Sequence, residues 1–258
     1  QQLKLVQAEH VKSLDYKLNT QFMGKGTREK RTEKREKNRL PEKQSNLVND
    51  FKPKNERQQE FINLINDREI IIATGPAGTG KTYVTLATAL SLLGPIYKKV
   101  ILVKSVTTIP GEEIGFLKGG MEQKMEPFIM SYMWNIDKIC GDKSAQNLLD
   151  KKIVEVLPLA FIRGLSIDNA IVIIDEAQNI DNHTFKTMMT RIGENSKYIL
   201  LGDSEQIDRR KKNESCLAKV IEIFTDSDII GSIEFKDEDC VRNPIIPVIL
   251  AKLRENGI

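Results

Sequence analysis

The chain has 258 residues, of which 40% are hydrophobic and 29% charged, and its formal net charge is +3. This is enough apolar material for one substantial core, with or without an additional arm. A mean hydropathy of −0.34 and the lack of an apolar stretch near ~18 residues argue against a transmembrane helix. Three dispersed cysteines argue against a zinc or disulfide framework and fit a cytoplasmic protein.

The excess of positive charge lies at the amino terminus. Residues 1–50 carry 12 Lys and Arg against 7 Asp and Glu, which is +5, whereas the remainder carries −2. Within this part, residues 24–39 (GKGTREKRTEKREKNR) have no apolar side chains to bury, so we predict a flexible segment or a solvated helix. We therefore divide the chain into a basic, partly flexible N-terminal arm, residues 1–50, and a globular domain, residues 51–258.

From residue 57 onward, short apolar strands alternate with segments of helical spacing. This alternation predicts an α/β fold with one mostly parallel sheet and helices on both of its faces. The predicted strands are residues 70–73, 100–104, 153–157, 170–174, 198–201 and 229–235. The predicted helices are residues 57–66, 81–93, most of 112–150, 184–192 and a C-terminal segment after Pro247.

The stretch GPAGTGKT, residues 75–82, follows the first strand and opens the next helix. It matches G-x-x-x-x-G-K-[ST], in which glycines let backbone N–H groups face phosphate oxygens and the helix adds the positive end of its dipole. Lys81 would reach the outer phosphates, and the Thr82 hydroxyl would ligate magnesium. The predicted nucleotide-binding residues of this stretch are Gly75, Pro76, Ala77, Gly78, Thr79, Gly80, Lys81, Thr82 and Tyr83.

Two acids follow the continuous apolar run AIVII, residues 170–174. A buried strand would hold Asp175 rigidly beside the loop, where it would bind magnesium through the water shell of the ion. Glu176 would then polarise the attacking water. Two acids at this position also fit a plain exit from strand to turn, but their pairing with the phosphate loop favours the catalytic interpretation.

Two glutamines are further candidates. Gln206, in GDSEQID after the strand at 198–201, would contact the attacking water and the γ-phosphate, although an ordinary turn is the alternative. Gln58 precedes the first strand, and its carboxamide offers one donor and one acceptor to the N6 and N7 edge of adenine. Gln59 is the alternative for this role, and a solvent-facing helix residue is the simpler interpretation.

Together these stretches resemble the PhoH family of P-loop ATPases and, more loosely, superfamily 1 helicases. The resemblance rests on GPAGTGKT, IIDEAQN and LLGDSEQID, and more specifically on GEEIGFLKG at 111–119, LAFIRG at 159–164 and DEDCVRNP at 237–244. It spans about residues 53–255 and is closest to the short, phage-type members. The resemblance implies a single RecA-like core that hydrolyses ATP with Mg²⁺, forms a hexameric ring and acts on RNA or single-stranded DNA.

The resemblance also implies that a neighbouring subunit completes the site. Superfamily 1 helicases have two RecA-like halves, and this chain has the length for one. Arg242, in DEDCVRNP, is then the first candidate for an arginine supplied in trans, an effect of roughly 10³ to 10⁵ in rate in other NTPases. Arg163 and Arg191 also match family positions, as phosphate sensors or intersubunit contacts. Asn243 departs from the family pattern, which tends to have histidine there.

Direct signs of nucleic-acid binding are fewer. Thr107 and Thr108 follow the second strand, where hydroxyls could contact phosphates, and Lys104, Lys118 and the basic run at 209–212 (RRKK) add charge. Only 6% of the chain is aromatic, so base-stacking platforms are not evident. We therefore keep three hypotheses: an ATP-driven motor on RNA or single-stranded DNA, a nucleotide-dependent protein-remodelling or assembly switch, and a kinase that uses the same phosphate loop.

Overall fold

Residues 47–104, 121–162, 164, 166–203, 216–225, 228–243 and 245–256 are described by a computed structural model. The strands are β1 (Ile70–Thr74), β2 (Lys99–Lys104), β3 (Val154–Pro158), β4 (Ala170–Asp175), β5 (Lys197–Leu201) and β6 (Ile230–Glu234). The α-helices are α1 (Glu56–Asp67), α2 (Lys81–Ser91), α3 (Met121–Cys140), α4 (Ser144–Asp150), α5 (Leu159–Ile162), α6 (Asn182–Met189), α7 (Leu217–Phe224) and α8 (Ile245–Glu255).

The six strands form one sheet in which every pairing is parallel, with the order β3-β2-β4-β5-β1-β6. The central strands are apolar throughout because helices cover both faces of a parallel sheet. β5 separates β1 from β4, with Ile71 opposite Ile199 on one side and Ile173 opposite Ile199 on the other. The carboxyl ends of all strands meet at one edge, which is where open α/β sheets bind ligands.

A hydrophobic core lies on each face of the sheet. Ile71 and Ala73 face the core that β1 forms with α1, α2 and α3, whereas Ile72 faces the core formed with α6 and α7. This alternation is the two-residue period of a strand. The predicted α/β class, a parallel sheet with helices on both faces, is confirmed.

One predicted helical segment contains a turn, and the C-terminal helix begins earlier than predicted. Residues 112–150, predicted to be mostly helical, form two helices in their described part, because the chain leaves α3 at Cys140 and turns at Gly141, with φ of 102°. The prediction that the C-terminal helix follows Pro247 is wrong, since α8 begins at Ile245. Proline is tolerated in a first helical turn, where its missing N–H has no intrahelical acceptor.

The predicted arm lies outside the described residues up to residue 46, so its boundary near residue 50 stays a prediction. Among the helices of the described ranges, none has both the length and the apolar character that crossing a membrane requires.

Candidate nucleotide-binding site

The loop between β1 and α2 has a backbone that glycine adopts most readily. Gly75, Gly78 and Gly80 have φ values of 131°, 90° and 87°, in the region that side chains disfavour. A Cβ on Gly75 would lie 2.2 Å from the carbonyl oxygen of Phe235, so the chain after β6 leaves no room for one. The loop leads into the first turn of α2 at Lys81, where backbone N–H groups favour an anion.

Segments before β1 and after β6 brace this loop. The N–H of Val241 donates to the carbonyl oxygen of Gly78 at 3.1 Å. From α1, Nε2 of Gln58 donates to the carbonyl oxygen of Thr79 at 2.9 Å. Both bonds join backbone carbonyls of the loop to segments distant in sequence, so tertiary contacts fix the conformation of the loop.

Both polar ends of Gln58 contact the backbone. The side chain is only 3% exposed, and its Oε1 accepts a hydrogen bond from the N–H of Lys54 at 2.9 Å. The carboxamide of Gln58 still has one N–H and one oxygen lone pair for a ligand, and the residue lines the cavity described below. Its contact with adenine therefore stays a prediction. Gln59, the alternative, is exposed on α1 and donates to Asn63 at 3.0 Å.

The ammonium group of Lys81 lies against its own loop. Nζ donates to the carbonyl oxygens of Gly75 at 2.6 Å and Pro76 at 2.9 Å. Burial lowers the pKa of Lys81, and the surrounding carboxylates, led by Asp203, act in the opposite direction because they favour the cation. Lys81 thus lies partly desolvated at the carboxyl edge of the sheet, where phosphate oxygens would replace the loop carbonyls.

Hydrogen bonds fix both carboxylate oxygens of Asp175, the last residue of β4. Oδ1 accepts from the N–H of Glu176 and Oδ2 accepts from the hydroxyl of Tyr132, each at 3.1 Å. Burial raises the pKa of Asp175, and Glu176 raises it further, whereas Lys104 and the Tyr132 hydroxyl lower it. Burial also raises the pKa of Tyr132 well above its usual value, so its hydroxyl remains a donor.

Glu176 follows β4 in the left-handed backbone conformation, with φ of 57° and ψ of 36°. Its Oε2 accepts a hydrogen bond from Nε2 of Gln178 at 2.7 Å. Oε1 of Gln178 in turn accepts from the N–H of Asp203 at 3.0 Å. Gln178 is 3% exposed, so a buried carboxamide ties the predicted catalytic base to the end of β5.

Sequence reasoning missed both Tyr132 and Gln178 as members of the site. Gln178 lies in the DEAQ stretch. Its position, two residues after Glu176, was a local signal from which its role could have been predicted. Tyr132 is 43 residues from Asp175, and no local pattern marks it.

These side chains share one cavity of about 590 Å³ at the carboxyl edge of the sheet, a size that suits a nucleotide-sized ligand. The predicted residues that line it are Gln58, Ala77, Gly78, Gly80, Lys81, Thr82, Tyr83, Asp175, Glu176 and Arg242. Residues that the sequence did not single out also line it, among them Phe51, Lys52, Lys54, Ser131, Tyr132, Asn135, Lys138 and Gln178. The predictions that lie outside the described residues are those for Gln206, Arg163, Thr107, Thr108, Lys118 and 209–212.

The candidate arginines Arg242 and Arg191 lie in different surroundings. Arg242 is exposed and lines the cavity of its own chain, with its Cβ 3.6 Å from the point that a Cβ on Gly78 would occupy. Arg191 does not line this cavity, and its carbonyl oxygen accepts from the hydroxyl of Tyr198 at 3.2 Å, near the amino end of β5. The action of Arg242 in trans stays a prediction, and its position also allows contact within its own chain.

Oxygen donors at this edge suit a magnesium ion. Thr82 offers a hydroxyl and Asp175 a carboxylate to the same cavity. Mg²⁺ prefers such oxygens and is usually bound by one or two carboxylates together with substrate phosphates and water. Thr82 and Asp175 therefore remain the predicted ligands of the ion, and both line the same cavity.

Comparison with known proteins gives one consistent family. The family model described as "PhoH-like protein" matches residues 50–253. The chain is 35% identical over 193 residues to the PhoH-like protein of Bacillus subtilis (strain 168), covering 75% of this chain and 60% of that protein. It is 35% identical over 196 residues to Protein PhoH of Escherichia coli (strain K12), covering 74% and 55%. The chain thus spans 55% to 60% of the length of these curated relatives.

Among solved structures, the UvsW helicase from Bacteriophage T4 is similar with 14% sequence identity and a TM-score of 0.43. The similarity covers 81% of this chain and 67% of that one.

Proposed function

We propose that this chain, which belongs to the PhoH family, hydrolyses ATP with Mg²⁺ and works as a hexameric ring on RNA or single-stranded DNA. The observation that carries the hydrolytic part is the convergence of Lys81, Asp175 and Glu176 on one cavity. Lys81 follows β1, whereas Asp175 is the last residue of β4 and Glu176 follows it. Because β5 separates these two strands, the fold and not sequence proximity brings the three side chains together.

Binding of the triphosphate is assigned to the loop and its lysine. The loop N–H groups would bind phosphate oxygens, and Lys81 would exchange its bonds to Gly75 and Pro76 for bonds to the outer phosphates. Thr82 and Asp175 would hold Mg²⁺, which would neutralise charge on the β- and γ-phosphates.

Activation of water is assigned to Glu176. A positioned general base contributes roughly 10² to 10⁴ in rate. Because Gln178 binds Oε2 of Glu176, Oε1 is the oxygen that would accept the hydrogen bond and then the proton of the attacking water. Gln206, which follows β5 in sequence, is proposed to contact the same water and the γ-phosphate.

The oligomeric part is supported by Arg242 and by the helix that follows it. Arg242 is exposed at the cavity, and α8 carries four exposed apolar side chains at positions i, i+3, i+4 and i+8. They are Ile245, Val248, Ile249 and Leu253. Such a stripe fits a contact with a second copy of this chain, which would then lie beside the nucleotide.

The nucleic-acid part is supported by cations at the carboxyl edge. Lys52 and Lys138 line the cavity, and Lys104 ends β2 at the same edge. Contacts of such lysines with phosphates would be independent of sequence and sensitive to salt.

The test is ATP turnover by the full chain at low salt, with and without single-stranded RNA and DNA, beside a measurement of particle mass. We expect magnesium-dependent hydrolysis that single strands stimulate and that salt weakens. Glu176→Gln should lower turnover by about 10² to 10⁴ while ATP binding persists. Glu222→Gln, which changes an exposed residue of α7, is the matched control and should leave turnover unchanged.

Each part of the proposal fails on a different result. No turnover of magnesium-ATP by intact protein refutes hydrolysis. Turnover that ignores every nucleic acid at low salt refutes the motor and leaves the second candidate, an assembly switch, which predicts oligomers that change with nucleotide. That candidate is favoured by the same exposed stripe on α8. A phosphorylated product other than inorganic phosphate would identify a kinase.

A further inference from the structure

Helix α3 has one face in the core and another toward solvent. Tyr132 and Ile136 are 2% and 1% exposed, whereas Met130 and Trp134 are 43% and 67% exposed. The helix packs against α2, which begins at the phosphate loop, and against α4. A displacement of the buried side chains would therefore also move the exposed side chains, because both belong to one helix.

Tyr132 connects this helix with the predicted magnesium residue. Its ring belongs to the core, yet its side chain also lines the nucleotide cavity, where the hydroxyl donates to Oδ2 of Asp175 at 3.1 Å. The other carboxylate oxygen is already bonded to the backbone N–H of Glu176. With the Tyr132 bond, both oxygens of Asp175 are held, and the orientation of this carboxylate is fixed. The proposed hydrolysis gives Tyr132 no direct role.

We propose that Tyr132 is a positioning residue that orients Asp175 toward magnesium and makes α3 respond to bound magnesium-nucleotide. This inference rests on the proposed function, since it needs Asp175 to act on the ion. Groups that orient the ligands of a metal typically contribute 10- to 100-fold to metal affinity or activity. Tyrosine suits this role because a packed ring has few torsions and moves with its helix.

The variant that tests this is Tyr132→Phe, which keeps the ring in the core and removes only the hydroxyl. The matched control is Tyr198→Phe, because Tyr198 is also fully buried and its hydroxyl donates to the carbonyl oxygen of Arg191, away from the cavity. For each protein, ATP affinity is measured by calorimetry across a magnesium titration and again with a chelator present.

We expect Tyr132→Phe to raise the magnesium concentration that half-saturates ATP binding by about 10- to 100-fold. Metal-free ATP affinity should stay within about twofold, because the phosphate loop is untouched, and Tyr198→Phe should change neither value. Equal magnesium dependence in Tyr132→Phe and the unmodified chain overturns the inference. Equal weakening by both variants also overturns it, because loss of any buried hydroxyl would then suffice.

A second readout uses Trp134, the one tryptophan of the chain, which lies two residues after Tyr132. Its emission should change when magnesium-ATP binds, less when metal-free ATP binds, and Tyr132→Phe should reduce the magnesium-specific part by at least about half. An unaltered magnesium-specific change in Tyr132→Phe contradicts the coupling.

If Tyr132→Phe does not fold, hydrogen exchange on the unmodified chain tests whether α3 responds to bound magnesium-nucleotide. Amides of α3 should exchange more slowly with magnesium-ATP than with metal-free ATP, and no magnesium-specific slowing overturns the inference. If the unmodified chain does not bind magnesium-ATP, the proposed function itself fails. If it binds but Tyr132→Phe is indistinguishable from it, only the role of Tyr132 fails.

Discussion

Replacing Gln58 with alanine separates support of the phosphate loop from recognition of the base. The variant removes the donor to the carbonyl oxygen of Thr79 and the acceptor of the Lys54 N–H. Thr79 is fully buried, so its carbonyl group would lose its partner out of reach of water. Lys54 is exposed, so its N–H can bind water and should contribute little.

The expected loss follows from the one buried carbonyl group. Leaving such a group unsatisfied costs about 1–3 kcal/mol, so Gln58→Ala should lower the free energy of unfolding by that amount. For a domain of this size, each kcal/mol lowers the melting temperature by about 2–4 °C. Because the displaced loop holds the phosphates, affinities for ATP and GTP should fall by the same factor.

Recognition of adenine by Gln58 gives the opposite pattern. Loss of a bidentate contact with the base changes discrimination by about 1–3 kcal/mol, which is about 5- to 150-fold in affinity, and it would act on ATP alone. The assay is urea unfolding followed by circular dichroism, together with binding of ATP and GTP. An ATP-specific loss with an unchanged free energy of unfolding refutes the structural reasoning.

Two further variants complete this experiment. Gln59→Ala tests the alternative residue for adenine, and a loss of ATP specificity there would assign the base contact to Gln59. Gln146→Ala is the control, because Gln146 is an exposed glutamine on α4 that bonds to a side chain four residues away, as Gln59 does on α1. It should change neither stability nor nucleotide binding.

Three other predictions concern the interface, the loop and the core. Arg242→Ala should bind ATP but hydrolyse it poorly, and mixing it with Glu176→Gln should restore some turnover, because each chain supplies what the other lacks. No rescue at any mixing ratio would count against the action of Arg242 in trans. Gly75→Ala should destabilise the fold by at least about 1–3 kcal/mol, because the φ of 131° disfavours any side chain. Gly164→Ala is its control and should change the melting temperature little, because no atom of the described residues lies within 4 Å of the Cβ that alanine would add. Thr85→Val should raise the free energy of unfolding by up to about 1–3 kcal/mol, since the buried hydroxyl of Thr85 has no hydrogen-bond partner among the described residues. A loss above about 1 kcal/mol in chemical denaturation would show that the hydroxyl is satisfied.

The sequence alone was sufficient for features that depend on consecutive residues. The apolar runs predicted the parallel strands, since a strand covered on both faces must be apolar throughout. The phosphate loop and the start of α2 at Lys81 follow from eight adjacent residues, because the turn geometry of glycine and the helix N-terminus are local properties. The exit of β4 into Asp175 and Glu176 is local for the same reason.

The partners of those residues were decided only by the tertiary structure. Gln178 joins Glu176 to Asp203 because β4 and β5 are neighbours in the sheet, and Tyr132 reaches Asp175 because α3 packs on the same face as α2. Strand order and helix packing result from burial summed over the whole chain, and no short stretch records them. The sequence therefore determined which groups are candidates for binding and hydrolysing a nucleotide, and the packing of distant elements determined how each is held.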